Sequence, residues 1–419
     1  MSTSSAPRGE FPDLPESLEV PPEVLSIVQR LESAGFETWC VGGAVRDSLL
    51  RQEDIDPRDY DLATSATPEQ VQQLFRRTIP VGVEHGTVAV LDRNKQPHEV
   101  TTFRRDVRTD GRHAVVEFGV SLEEDLARRD FTVNAIAYHP LRNKWSDPFN
   151  GAGDLQRKVI RAVGDAAARF REDYLRILRA VRFAARFDFG IEPSTWAAAK
   201  ASADGLLHLS AERVRDEWFR ALQTARRLPE LAARWREVGA TGSWFPEFVS
   251  EREQRLDRFP SRDPVLITAY LSRDPVATLS RLRCSNADIA RAQAVAERTT
   301  APDAADPVAV RRWMAERGKA VDDLVTLLRV DDPAAASRLA SAVAAVRASG
   351  APLTLADLAV TGDDLREAGI PPGRTMGIVL RRLLSDVIEE PARNERSHLL
   401  ERAGALAAEA EARTRKGKR

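Results

Sequence analysis

The chain has 419 residues, with 62 basic and 63 acidic side chains and a formal net charge of −1. Charged residues make up 30% and hydrophobic residues 43%, a globular composition that excludes a disordered or wholly polybasic protein. Of the basic residues 7 are lysine and 55 are arginine, which either a GC-rich genome or a need for planar guanidinium contacts to phosphates and bases would explain.

Two features indicate the compartment. Cys40 and Cys284 are the only cysteines, so no disulfide framework or Cys/His zinc site is expected. No apolar run approaches the roughly 18 residues of a membrane helix, and the N-terminal segment has neither the basic nor the apolar part of a signal peptide. We therefore expect a cytoplasmic protein that does not contact a membrane.

The first predicted helix follows a flexible lead-in, residues 1–20. It begins at Pro21-Pro22-Glu23, because proline suits a first helical turn, and Gly35 is the expected end. One face carries apolar residues at helical spacing: Val24, Ile27, Val28 and Leu31.

Strands are predicted next. Residues 36–41 form the first, which runs into the pair Gly42-Gly43, and residues 87–91 and 98–103 form two more because they are rich in β-branched side chains. Residues 21–155 are therefore predicted to be an α+β domain. Residues 104–113 are polar and contain glycine, so we expect a mobile loop there. Beyond Gly164 the pattern predicts an elongated all-helical region.

A glycine turn and a pair of carboxylates carry the first chemical signal. The turn at Gly42-Gly43 would present backbone N–H groups to an anion, and Arg46 lies one turn further on. On a strand, Asp59 and Asp61 share a face, about 6–7 Å apart, and could hold Mg²⁺. Two such ions can bridge a triphosphate and an attacking hydroxyl. Glu99 is either a third carboxylate of this site or a surface charge on an edge strand.

These residues resemble the first motif of class II tRNA nucleotidyltransferases, the family of CCA-adding enzymes and bacterial poly(A) polymerases within the DNA polymerase β-like superfamily. The carrying residues are Gly-Gly-Ala-Val-Arg-Asp at 42–47 and Asp-Tyr-Asp at 59–61. The resemblance implies a polymerase β-like head followed by a helical neck, body and tail. It also implies that Asp59 and Asp61 are catalytic metal ligands and that Gly43 and Arg46 contact the nucleotide.

A second motif, residues 125–135, also resembles the family. Its two adjacent arginines, Arg128 and Arg129, offer many donors to a triphosphate and a ribose. An Arg-Arg-Asp triplet by itself, however, is common on helix surfaces. The resemblance implies that Arg129 and Asp130 lie at the nucleotide.

The third motif is Glu-Asp-Tyr-Leu-Arg at 172–176. Read as one helix, it makes Asp173 and Arg176 neighbours. An acceptor beside a donor complements cytosine and adenine and mismatches uracil and guanine, so a fixed pair could select nucleotides without a template. The alternative is an ordinary amphipathic helix with a salt-bridged outer face. The resemblance implies the base-reading role, with Arg179 and Arg182 as further nucleotide contacts.

A later motif at 209–217 is expected to brace these helices, with Ser210 as helix cap and Arg213 paired with Glu217.

His-Gly-Thr-Val at 85–88 and residues 361–377 resemble CCA-adding enzymes rather than poly(A) polymerases. In this family a flexible loop at the position of 104–113 is needed to switch from C to A addition. The domain divisions we predict are a head at 21–155, a neck at 156–225, a body at 226–300, a tail at 301–412 and a basic end at 413–419.

The sequence thus predicts a Mg²⁺-dependent, two-metal nucleotidyltransferase that adds CCA to tRNA from CTP and ATP, with no obligatory protein partner. An enzyme that adds only A or only CC, a poly(A) polymerase, a nucleotidyltransferase acting on a small molecule and a catalytically inactive RNA-binding protein are the alternatives.

Overall fold

The computed structural model describes residues 14–50, 60–109, 114–296 and 300–416. The chain divides into two compact units, Met1–Glu253 with Arg281–Cys284, and Gln254–Ser280 with Ser285–Arg419. Within the described ranges, no helix is both long enough and apolar enough to cross a membrane.

The strands of the first unit are short. They are β1 Thr38–Val41, β2 Asp61–Thr64, β3 Thr78–Gly82, β4 Thr87–Leu91, β5 Pro97–Thr102, β6 Arg104–Thr109, β7 Ala114–Phe118, β8 Ala137–His139, β9 Lys144–Ser146, β10 Val159–Ile160 and β11 Gly190–Ile191. Its helices are α1 Pro22–Ser33, α2 Gly43–Leu50, α3 Pro68–Leu74, α4 Leu122–Ala127, α5 Gly151–Gln156, α6 Ala166–Glu172, α7 Leu175–Phe187, α8 Pro193–Ala201, α9 Ala211–Thr224, α10 Leu228–Glu237 and α11 Ala240–Trp244. Two 3₁₀ turns, Thr132–Asn134 and Ala203–His208, lie near the candidate site.

A mixed sheet organises the head, with strand order β3-β4-β5-β2-β1-β8-β9. Only β2 and β5 of this sheet run parallel, with Leu62 opposite Val100. Side chains alternate across the sheet. Cys40 and Leu62 join the hydrophobic core beneath α1, α2 and α3, while Trp39 and Ala63 face a second core with Leu126 of α4. The predicted α+β class is confirmed.

The prediction for the first helix is confirmed. Val24, Ile27, Val28 and Leu31 are all buried, and the helix ends before Gly35, whose φ of +88° is left-handed. The Phe36 N–H donates to the Leu31 carbonyl at 3.0 Å and the Gly35 N–H to the Glu32 carbonyl at 2.9 Å, which closes the helix with a Schellman motif. Phe36 therefore belongs to the helix cap, and β1 begins two residues later than predicted.

The predicted strands 87–91 and 98–103 are confirmed as β4 and β5, the second with its bounds shifted by one residue. The expected loop at 104–113 is wrong over its first six residues. There β6 pairs antiparallel with β7, and residues 110–113 lie outside the described ranges. The sequence Arg-Arg-Asp-Val-Arg-Thr lacks an apolar alternation, so the strand depends on its partner rather than on its own burial.

The chain beyond α11 is helical. Its α-helices are α12 Pro264–Leu271, α13 Pro275–Arg281, α14 Asn286–Ala296, α15 Pro307–Arg317, α16 Val321–Asp331, α17 Pro333–Ala348, α18 Gly362–Glu367, α19 Arg374–Glu389 and α20 Arg396–Lys416. In the second unit, α18, α19 and α20 enclose a core that includes Leu365, Leu383 and Leu399. The boundaries predicted between neck, body and tail stay predictions.

Candidate active site

A glycine turn brings two charged groups together at the end of β1. Gly42 has a φ of +78°, and α2 begins at the next residue. A Cβ at Gly42 would lie 3.0 Å from Asp61 Oδ2 and 3.4 Å from Arg129 Nη1. Both the backbone conformation and this close approach favour glycine. The turn therefore lies where the first and second motifs meet.

Carboxylates line the same face of the sheet. Asp61 is the first residue of β2, it is partly exposed, and it lies opposite Val41 of β1. The register of β2 with β5 makes Glu99 its neighbour on the same face, one strand spacing or about 4.8 Å away. Asp59 lies outside the described residues, so its placement beside Asp61 stays a prediction. No group of three His, Cys, Asp or Glu side chains that could hold a metal occurs among the described residues.

Arg46 is held by neighbours on two segments. Its side chain is only 4% exposed. It donates through Nε to Asp47 Oδ1 at 2.7 Å and through Nη1 to Asn134 Oδ1 at 2.5 Å, and its guanidinium carbon lies 4.7 Å from the ring centroid of Phe187. Arg46 thus links α2, the second motif and α7.

Asp130 is a buried, ionised carboxylate. Its Oδ2 accepts from Arg179 Nε at 2.8 Å, and its Oδ1 accepts from Asn134 Nδ2 at 2.9 Å and from the Phe131 N–H at 2.8 Å. Burial raises the pKa of this carboxyl, but the Arg179 charge and the hydrogen bonds outweigh it and hold the pKa below its usual value. Asp130 in turn raises the pKa of Arg179, so both groups are charged at neutral pH.

Arg129 is fixed at its tip but not at its Nε. Its Nη2 donates to Asp125 Oδ2 at 3.3 Å and its Nη1 to the Asn134 carbonyl at 3.4 Å. Asp125 is buried and also accepts from Arg128 Nε at 2.9 Å. Arg129 Nε is buried, and no residue in the described ranges accepts a hydrogen bond from it. The atom of Arg129 that approaches the glycine turn is Nη1.

The third motif is not one helix. α6 ends at Glu172, Asp173 is extended with φ −154° and ψ 105°, and α7 begins at Leu175. The break follows from Asp173 itself, because its Oδ1 accepts from the Leu175 N–H at 3.0 Å and so caps α7. The continuous helix used to relate Asp173 to Arg176 is therefore wrong.

Each member of this pair has its own partner. Asp173 Oδ2 accepts from Arg213 Nη2 at 2.6 Å, and Arg213 belongs to α9. Arg176 donates through Nη1 to Glu172 Oε2 at 2.6 Å and through Nη2 to the Arg128 carbonyl at 3.0 Å. Asp173 and Arg176 are therefore not held by each other. Each side chain is fixed by other residues, and a fixed geometry is what base selection would need.

Arg182 is buried between α7 and α9. Its side chain is 4% exposed, its Nε donates to the buried Glu217 of α9, and its guanidinium carbon lies 4.2 Å from the Phe183 ring centroid. The expected pairing of Arg213 with Glu217 along α9 is wrong. Arg213 pairs with Asp173, which precedes α7, and Glu217 pairs with Arg182 of α7. The capping role of Ser210 is confirmed by its contact with the Arg213 N–H at 3.4 Å.

Three site residues had no role in the sequence analysis: Asp47, Asp125 and Asn134. Asp47 accepts from Arg46 and, at 3.2 Å, from Arg186 Nη2. All three lie inside the recognised motifs, so a signal was present. Their partners are fixed by the tertiary fold, which the motif spacing alone does not reveal.

Comparison with known proteins agrees with this geometry. Residues 38–161 match the family model of the poly(A) polymerase head domain. Residues 188–234 match a model for an RNA- and SrmB-binding site of polymerase A, and residues 265–403 match tRNA nucleotidyltransferase domain 2.

Similar proteins cover most of the chain. The CCA-adding enzyme of Limosilactobacillus fermentum is 35% identical over 91% of this chain and 96% of its own. That of Streptococcus sanguinis is 46% identical over a shorter match, 51% of each chain, so this match spans about half of that relative. The crystal structure of the Bacillus stearothermophilus CCA-adding enzyme in complex with CTP is 32% identical, with a TM-score of 0.75 over 95% of this chain and 98% of its own.

The mixed sheet, the glycine turn with its carboxylate and the fixed arginines define a nucleotidyltransferase. The chain belongs to the family of CCA-adding enzymes, the tRNA nucleotidyltransferases.

The buried Arg182–Glu217 pair generates a stability prediction. Replacing Glu217 by Ala leaves the Arg182 charge buried without its partner, which we expect to lower the free energy of unfolding by about 3–5 kcal/mol. Urea unfolding measures the difference. Glu212, on the same helix but exposed and 3.6 Å from Arg283, is the matched control, and Glu212→Ala should cost less than about 1 kcal/mol. Equal unfolding midpoints for the two variants would contradict the prediction.

The lowered pKa of Asp130 predicts a pH dependence. A carboxyl whose pKa is lower in the folded state stabilises that state fully above its ordinary pKa, about 4, and loses this effect as the pH falls through the lowered value. Asp130→Asn should therefore be destabilised at pH 7, and its difference from the unaltered protein should shrink below about pH 4. Urea unfolding between pH 7 and pH 3 tests this, with the exposed Asp216→Asn as control. A difference that stays constant with pH would count against the assignment.

Proposed function

We propose that this protein adds the sequence CCA to the 3′ end of tRNA, using CTP and ATP and releasing pyrophosphate. One observation carries the proposal: Asp61 and Arg129 converge on Gly42 in a chain similar to CCA-adding enzymes over nine-tenths of its length. The solved relative of 32% identity contains CTP, which supports the choice of substrate. The expectation of a cytoplasmic location stays a prediction.

Nucleotidyltransferases of this family use divalent metal ions. The described carboxylates fit that need, because Asp61 and Glu99 share a face of the sheet beside the glycine turn, and carboxylate oxygens are the ligands that Mg²⁺ prefers. We propose Asp59 and Asp61 as the ligands of Mg²⁺ and Glu99 as a candidate third carboxylate. The bound ions would supply two-metal Lewis-acid chemistry, activating the terminal 3′-hydroxyl and neutralising the triphosphate.

The chain's own donors would bind the triphosphate. The N–H of Gly43 lies at the start of α2, where a helix favours an anion, and Arg129 Nη1 approaches the same turn. Asp130 would hold Arg179 toward the nucleotide. For Arg46 and Arg182, direct contact with the nucleotide stays a prediction, since both guanidinium groups are nearly buried and already bound.

Asp173 and Arg176 would read the base. A carboxylate that accepts from the exocyclic amine and a guanidinium that donates to the adjacent ring nitrogen fit cytosine and adenine. Uracil and guanine present a carbonyl oxygen and a ring N–H at these positions. Their oxygen would face the Asp173 carboxylate, and their N–H would face the Arg176 guanidinium. We propose that this mismatch rejects UTP and GTP. For the helical region, we propose that the neck, body and tail dock the tRNA.

Product lengths test the proposal and its alternatives. The protein is incubated with tRNA lacking its 3′ end, and with tRNA ending in C or CC, with CTP and ATP singly and together. CCA addition gives a product three nucleotides longer from the first substrate, and only when both nucleotides are present. Addition that stops at CC would indicate an enzyme that adds only CC. Addition that occurs only on tRNA already ending in CC would indicate an enzyme that adds only A. A long A ladder would indicate a poly(A) polymerase, and no incorporation would favour an RNA-binding protein.

Substitution of the candidate metal ligands is a second test. Asp61→Ala or Asp59→Ala should lower the rate of incorporation at least about a thousandfold, because several kcal/mol of transition-state stabilisation are lost. The affinity for tRNA should stay within a factor of about two, since these groups are not proposed to bind it. Glu84→Ala, an exposed carboxylate of the head, is the control, and Glu99→Ala reports on the third position. Undiminished incorporation by Asp61→Ala would overturn the metal assignment.

A further inference from the structure

The break between α6 and α7 has a third residue whose role remains open. Tyr174 lies between Asp173 and Leu175, with φ −62° and ψ −18°, and it is half-buried. Tyr174 is therefore adjacent in sequence to the residue proposed to read the base. No hydrogen bond to its hydroxyl occurs among the described residues, so any effect of Tyr174 comes from the ring.

The ring packs directly onto a glycine. A Cβ at Gly205 would lie 2.0 Å from Tyr174 Cε1, 2.1 Å from Cδ1 and 2.4 Å from Cζ, distances that no two carbon atoms can share without bonding. Gly205 does not have a positive φ. Its backbone suits any residue, so glycine is needed there only for the space that the ring occupies.

The turn under the ring is buried and held by hydrogen bonds. Gly205 belongs to the 3₁₀ turn Ala203–His208 and is buried, and its N–H donates to the Ser202 carbonyl at 3.0 Å. Leu206 is fully buried, and its carbonyl accepts from Trp244 Nε1 at 3.0 Å. An added methyl group at Gly205 would therefore move the ring rather than the turn.

We propose that Gly205 and Tyr174 are positioning residues for nucleotide selection, in that the ring seated on the glycine fixes where Asp173 lies relative to Arg176. The ring is attached one residue from Asp173, and Asp173 has an extended backbone at the break between α6 and α7. A displaced ring changes the backbone of residue 174 and so carries the Asp173 carboxylate away from its contacts with Leu175 and Arg213. This inference rests on the proposed base reading by Asp173 and Arg176.

The test measures nucleotide discrimination in the full chain. The ratio of kcat/KM for CTP to that for UTP is determined with tRNA lacking its 3′ end. Gly205→Ala should lower this ratio at least about tenfold, since a shift of about 1 Å in a positioned group is enough to do so. Tyr174→Phe should leave the ratio unchanged, because the ring is retained. Gly242→Ala is the matched control, since a Cβ there meets nothing within 4 Å.

A double substitution identifies the ring as the cause. In a Tyr174→Ala background, Gly205→Ala should change the ratio no further, because the atoms it would displace are gone. A role in stability alone would lower the rates with all nucleotides equally and leave the ratio unchanged. A folded Gly205→Ala with an unchanged ratio would overturn the inference. If that variant does not fold, an unchanged ratio in Tyr174→Ala would overturn it equally.

Asp173→Ala separates this inference from the proposed function. If Asp173→Ala still rejects UTP and GTP, the base-reading proposal fails, and this inference fails with it. If Asp173→Ala accepts UTP while Gly205→Ala does not, base reading stands and only the positioning role of Gly205 and Tyr174 is refuted.

Discussion

The buried carboxylate of Asp130 is the interaction on which the candidate site depends. It accepts from Arg179 of α7 and from Asn134 in its own motif, and Asn134 in turn accepts from Arg46 of α2. Three segments far apart in sequence are thus linked through Asp130 and Asn134. A buried ion is costly unless it is paired and hydrogen-bonded, so the loss of these contacts would destabilise the site. This requirement positions the motifs more strictly than apolar packing could.

The same region explains part of the arginine excess. The guanidinium groups of Arg46, Arg179 and Arg182 lie 4.2–5.3 Å from the Phe183 ring centroid. A planar cation can stack on an aromatic face and donate in its own plane at once, which an ammonium cannot do. Arginine is therefore required here for packing as well as for charge. Segment 157–190 has nine basic and four acidic residues, but much of this charge is neutralised within the fold and is not free to attract a polyanion.

Local signals predicted the parts of the structure that local energetics determine. The bounds of α1 followed from proline, glycine and apolar spacing, and those of β4 from its β-branched side chains, because caps and burial act within a few residues. The hairpin β6–β7 was missed, since a polar strand is stabilised by its partner. Site residues were predicted where a family motif named them, but their partners were not. Arg213 reaches Asp173 across 40 residues, and no periodicity encodes that contact.

The break at Asp173 shows why geometry matters more than spacing for base selection. A carboxylate has about four acceptor positions, and Asp173 accepts one hydrogen bond on each oxygen, from Leu175 and from Arg213. Arg176 uses its two terminal nitrogens for Glu172 and backbone carbonyls, and within the described ranges its Nε has no acceptor. Both groups are thus fixed yet keep unused hydrogen-bonding capacity. A flexible pair could rotate to accommodate uracil or guanine, whereas a fixed pair leaves the wrong base with unpaired groups, and that penalty is the source of selectivity.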